Sequence, residues 1–197
     1  MKTHSVRLGM ILIALVGMSV TGHAQPSRGR VIERMPVEKN EPVTVTNIKV
    51  NGQSVSFDRE FAANDDWMKS LVITVKNKSD KRILYMNVDL FFSEPSSQEP
   101  GALFDLLFFG NTALRLRPPT SSEQPIGLAP GESADISVTS KKFIDLTRFL
   151  TEIKVSQSVD RVRFKLGRII FDDDTMWSGE VFRRNPNDPT CWINLNP

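Results

Sequence analysis

Histidine is almost missing from this chain of 197 residues: His4 and His23 are the only two, and both fall in a stretch that reads as a secretory leader. Cysteine is as scarce, with Cys191 alone. Once the leader is removed no imidazole is left, so a Ser-His-Asp or Cys-His centre has nothing to carry its proton. Zinc sites built on His and Cys fall for the same reason. The eleven glycines never form Gly-x-Gly, which removes the dinucleotide fingerprint and the phosphate-cradling loop. There is no Gly-x-Ser-x-Gly elbow and no Ser-x-x-Lys. A single cysteine also cannot close a disulfide within the chain, so stability must come from a packed core. The expected place of Cys191 is a small half-buried position, with an intermolecular disulfide as the alternative.

What is present begins with an address. Lys2 and Arg7 form a positive n-region, residues 8–20 are an apolar run, and Gly22-His23-Ala24 offers small residues to a signal peptidase, with cleavage expected between Ala24 and Gln25. The apolar run has 13 residues, short of the roughly 20 that span a bilayer; an uncleaved anchor helix is the alternative. Residues 1–24 hold two basic and no acidic side chains, so the formal charge of +2 belongs to the leader and the remainder is neutral. The expected product is a secreted or periplasmic protein without stable membrane insertion.

Residues 25–42 are rich in charge and proline and read as a flexible N-terminal arm. A single domain is expected over 43–197. Val43–Val50 is dense in β-branched residues, and Asn51-Gly52 supplies the positive φ angles of a tight hairpin before Ser54-Val55-Ser56-Phe57 returns. Leu71, Ile73 and Val75 alternate along a strand over 69–77. The run 82–93 has so few polar positions that it is expected to be buried on both faces or twisted by a bulge. Strands are also expected over 133–139, 159–171 and 176–184. Between them Phe143, Leu146, Leu150 and Ile153 recur at helical spacing, predicting a short helix over 142–153. This pattern predicts a mainly β fold, an antiparallel immunoglobulin-like β-sandwich with one short helix.

The excursion 94–130 carries six of the twelve prolines, and within it Leu103-Phe104-Asp105-Leu106-Leu107-Phe108-Phe109 is almost wholly apolar. Such a segment either closes the core as an edge strand or presents an apolar patch to a partner; Phe104, Phe108 and Phe109 are the candidate contact residues. Carboxylates are the remaining chemical resource. Asp65-Asp66 and Asp172-Asp173-Asp174 with Glu180 could furnish the acid and base of a glycan-acting enzyme. Asp172, Asp174 and Glu180 are the weak candidates for a calcium site, although the spacing is not that of an EF-hand. Acidic turn residues more often satisfy their own backbone. The stripe Arg161, Arg163, Lys165 reads as a solvated strand face rather than a phosphate track, so no nucleic-acid partner is expected. Asn77-Lys78-Ser79 matches a glycosylation acceptor.

Two stretches carry a resemblance. Leu71-Val72-Ile73-Thr74-Val75-Lys76-Asn77-Lys78-Ser79-Asp80-Lys81-Arg82-Ile83, followed by Leu128-Ala129-Pro130-Gly131-Glu132-Ser133, resembles the strand, Asn-x-Ser turn, strand and Pro-Gly-Glu turn of small extracytoplasmic immunoglobulin-like modules of the FxLYD type. It spans about 43–139, and the name-giving motif is replaced by Arg82-Ile83-Leu84-Tyr85-Met86-Asn87. Ile169-Ile170-Phe171-Asp172-Asp173-Asp174-Thr175-Met176-Trp177-Ser178-Gly179 is similar to the closing hairpin of uncharacterised secreted bacterial proteins. The resemblance implies a fold and an address but no reaction. The functional expectation is a secreted or periplasmic, non-enzymatic binding module for a protein or envelope component, without a cofactor.

Overall fold

Strand β2 (Val43–Val50) turns at Asn51 (φ 52°) and Gly52 (φ 77°) into β3 (Gln53–Val55), as the Asn-Gly pair predicts. β2 also pairs with β5 (Val72–Asn77), and β5 with β8 (Ser133–Ser137), giving an antiparallel sheet in the order β3-β2-β5-β8. The computed structural model describes residues 27–92, 102–123, 125–154 and 159–195. The leader, the cleavage site at Ala24 and Gln25, and residues 93–101 of the excursion lie outside the described residues.

A second, eight-stranded sheet is organised around β9 (Arg161–Phe171), the longest strand. One edge of β9 pairs antiparallel with β6 (Ile83–Phe92). Its other edge is shared by β1 (Arg28–Arg34), which runs parallel to its first half, and β10 (Thr175–Trp177), antiparallel to its second half. β4 (Glu60–Ala63) extends the sheet beyond β1, and β11 (Val181–Asn185) and β12 (Asp188–Asn194) extend it beyond β10. β7 (Ala102–Gly110) lies outside β6. Residues of both sheets, among them Val43, Ile48, Ile73 and Val75 from one and Met86, Val88, Leu90 and Phe164 from the other, form the main hydrophobic core, and Leu84, Tyr85, Leu114, Ile170 and Met176 form a second, smaller cluster. The helix α1 (Ser140–Glu152) seats Leu146 and Leu150 on the main core, and its N-terminus is capped by Thr139, whose Oγ1 accepts from Lys142 N.

Three expectations are corrected. The segment 25–42 is not wholly an arm, because 28–34 is β1. Its Ile32 is 1% exposed, and Arg30 is fully buried on Asp65 and Asp160. Apolar residues alternate too sparsely there for a strand pattern, and the strand exists because β9 and β4 flank it. The fold is mainly β but not purely antiparallel, since β1 and β9 are parallel. The terminal strand 176–184 is two strands broken at Ser178-Gly179-Glu180, and β12 follows as an edge strand whose Pro189 hides it in the sequence. β6, by contrast, is buried on nearly every residue and carries bulges at Val88/Asp89 and elsewhere.

Candidate functional site

The apolar run of the excursion becomes β7, which among the described residues pairs with β6 alone. Leu106 and Leu107 are buried, while Phe104, Phe108 and Phe109 are half-buried. Phe104 packs on Phe149 of α1 with ring centroids 5.1 Å apart. The ammonium of Lys142 stands 5.5 Å from the Phe104 and Phe108 rings and donates to the Asp105 carbonyl at 2.8 Å. After Gly110 the chain enters a 3-10 turn (Thr112–Arg115), where Asn111 Oδ1 accepts from Ala113 N and Leu114 is buried.

Between this turn and the returning chain lies an open groove of about 570 Å³, lined by Phe108, Phe109, Leu114, Pro125 and Ile126, with Gly110, Asn111 and Glu123 at its border. Ile126 is 78% exposed. The polar side chains at the border are already engaged. Asn111 caps the turn, and Glu123 takes both guanidinium nitrogens of Arg117 at 2.7 Å and the amide of Thr120 at 2.8 Å. The Arg117 hydrogen bonds hold the Glu123 carboxyl down to about 2. What the groove offers a ligand is therefore apolar surface.

Next to the groove strand, on the β6–β7 register, Asp89 stands opposite Asp105 at the bulge. Asn87 orients both. Its Oδ1 accepts from Arg168 N of β9 at 2.7 Å, which leaves Nδ2 to donate to Asp89 Oδ1 and, at 3.2 Å, to Asp105 Oδ1. The side chain fits only because residue 167 is glycine; a Cβ there would collide with the Asn87 amide. Arg115 Nη1 reaches Asp105 Oδ2 at 3.1 Å. Asp89 has Lys165 opposite it on β9, but that ammonium is bound by Glu38 at 3.0 Å. Burial, and then the hydrogen bond and charge of Asp105, push the Asp89 carboxyl up to about 7. Burial pushes the Tyr85 hydroxyl nearby up to about 12.

Phe108 and Phe109 thus line the groove, whereas Phe104 is turned to α1. The other candidate carboxylates are dispersed. Asp65 is bound to Arg30, and Asp66 is exposed. Asp173 accepts from Thr175 and pairs with Lys81 at 2.7 Å; burial raises its carboxyl, but those bonds outweigh it and leave it below the usual range. Asp174 faces Arg184 at 3.5 Å, Glu180 accepts from Asn194, and Asp172 is exposed. Among the described residues no three His, Cys, Asp or Glu side chains are grouped to hold a metal ion. Arg161 and Arg163 meet Glu33, and Lys165 meets Glu38, so the basic stripe is matched by acids from β1 and the residues after it.

Cys191 is exposed, not half-buried, and donates to Asp188 Oδ2 at 3.0 Å, which raises its thiol. Asn77 is fully buried. Its Nδ2 donates to Lys81 O and Leu128 O, and Oδ1 accepts from Ser79 N and Oγ. An amide so placed cannot receive a glycan.

Asp89, Asp105 and Arg115 were missed as a group. The available signal was a lone acid inside each of two apolar runs, Val88-Asp89-Leu90 and Phe104-Asp105-Leu106; pairing the two runs in the right register needs the fold. Among the described residues no helix is long and apolar enough to cross a membrane. No family model matches this chain, and neither a curated protein nor a solved structure matches it.

Proposed function

We propose that this chain is a secreted or periplasmic, non-enzymatic binding module with an immunoglobulin-like β-sandwich fold, which captures an extended apolar segment of a partner protein of the cell envelope beside β7. Two sheets around one main core support the sandwich reading, as does the resemblance of 43–139 to FxLYD-type modules. The parallel β1–β9 pairing marks a departure from the all-antiparallel form.

The observation that carries the binding reading is the groove: apolar, open, with its border polar groups already bonded internally. An extended peptide fits it best because among the described residues β7 pairs with β6 alone, so the strand next to the groove keeps an edge, apart from the Asp105 carbonyl bonded by Lys142, to which a further strand can add. The edge supplies main-chain hydrogen bonds, and Phe108, Phe109 and Ile126 select apolar side chains.

Ile126→Asp is the sharpest test, because its side chain is mostly exposed and contributes little to the core. On an array of immobilised apolar decapeptides, binding is expected to fall about tenfold or more in Ile126→Asp and Phe108→Ser, with the melting temperature of Ile126→Asp unchanged. Absence of any binding peptide, or binding indifferent to Ile126→Asp, would overturn the reading.

A further inference from the structure

We propose that Asp89 and Asp105 share one proton across the β6–β7 register, and that this proton is a latch holding β7 to the sheet more firmly below neutral pH than above it. The latch concerns the attachment of β7 and stands whether or not the groove beside it is occupied.

The geometry demands the proton. Two carboxylates stand directly opposite each other on paired strands, a placement that destabilises a sheet when both are charged. One side-chain amide, that of Asn87, serves both, and its orientation is fixed by the Arg168 amide of β9. The cations around the pair do not neutralise two charges. Arg115 bonds Asp105 and the Tyr85 hydroxyl, and Lys165, which lowers Asp89, is shared with Glu38. Arg168 of β9 lies near enough to lower Asp89, and from α1 Lys142 is bonded to the Asp105 carbonyl. The remaining group is Tyr85 of β6, lifted to about 12 and therefore neutral over the range that matters. Lysine and arginine keep their charge there. The pair is thus the element that changes charge near neutrality.

The position gives the charge change its effect. The pair sits at the Val88/Asp89 bulge, where the ladder is already interrupted, and among the described residues β7 has no second strand to retain it. The sign follows from Asp89, whose folded value of about 7 lies above its ordinary 3.8. The folded state binds the proton better, so the stabilisation is complete below the ordinary value and is lost as pH rises through about 7.

Hydrogen exchange read by mass spectrometry on the full chain tests this, with rates corrected for intrinsic exchange between pH 5.5 and 8.5. Protection of the peptide covering 102–110 is expected to fall about tenfold as pH rises through 7, while β2 and β5 hold theirs. Asp89→Asn, which keeps the shape and removes the charge, is expected to abolish the fall; Asp105→Asn serves if that variant does not fold. A flat profile for β7 in the wild type overturns the latch. So does a fall shared equally by β2 and β5, or one that persists in a folded Asn variant.

Discussion

Asn77 does with one side chain what a longer turn would do with several residues. Its amide joins Lys81 O and Leu128 O, its carbonyl oxygen holds Ser79, and its backbone bonds Glu132 O and Gly131 N. The Asn-x-Ser and Pro-Gly-Glu turns, separate in the sequence, are thereby one structure, and the Ile83–Leu128 bridge continues it. Asn77→Ala removes four side-chain hydrogen bonds, each worth about 0.5–1.5 kcal/mol, while Lys81 O keeps Ser79 Oγ and Leu128 O keeps Ile83 N. Urea denaturation is expected to show a loss of roughly 2–4 kcal/mol with an unchanged slope. The same residue shows the limit of a motif: Asn-Lys-Ser looks like an acceptor until burial is known.

Among the elements, β1 owes most to tertiary contact. It lies between β9 and β4, and Arg30 projects from it into a fully buried position between Asp65 and Asp160, with acid side chains 42% and 62% exposed. Because those carboxylates rehydrate when Arg30 is removed, Arg30→Ala is expected to cost about 2–3 kcal/mol, less than a wholly buried pair. Limited proteolysis is the local readout: cleavage within 28–34 should precede cleavage anywhere in β2 or β5. The hairpin β2–β3 and the helix α1 lie at the opposite extreme. Asn51-Gly52 sets its turn by backbone preference alone, and Phe143, Leu146 and Leu150 mark the helix by their spacing, so local sequence sufficed for both. The two strands after residue 180 were legible only in part, since Pro189 and a broken apolar pattern disguise an edge strand that needs just one neighbour.

For the whole molecule, one main core shared by two sheets and no disulfide or grouped metal ligands among the described residues place the stability in packing. Because Asp172, Asp174 and Glu180 are not grouped as metal ligands, neither calcium nor chelator is expected to shift the melting temperature by more than about 1 °C. A rise with calcium, measured by scanning calorimetry, would support Asp172, Asp174 and Glu180 as ligands. By itself the sequence determined the mainly β character, the best hairpin, the helix and the lack of histidine after His23, because each rests on local composition or spacing. Only the tertiary structure decided that β1 joins the sheet, that β1 and its following residues match the basic stripe with Glu33 and Glu38, and that Asp89 meets Asp105. Those facts depend on which strands become neighbours and in what register, and long-range pairing is set by the burial of the whole core and not by any stretch of chain on its own.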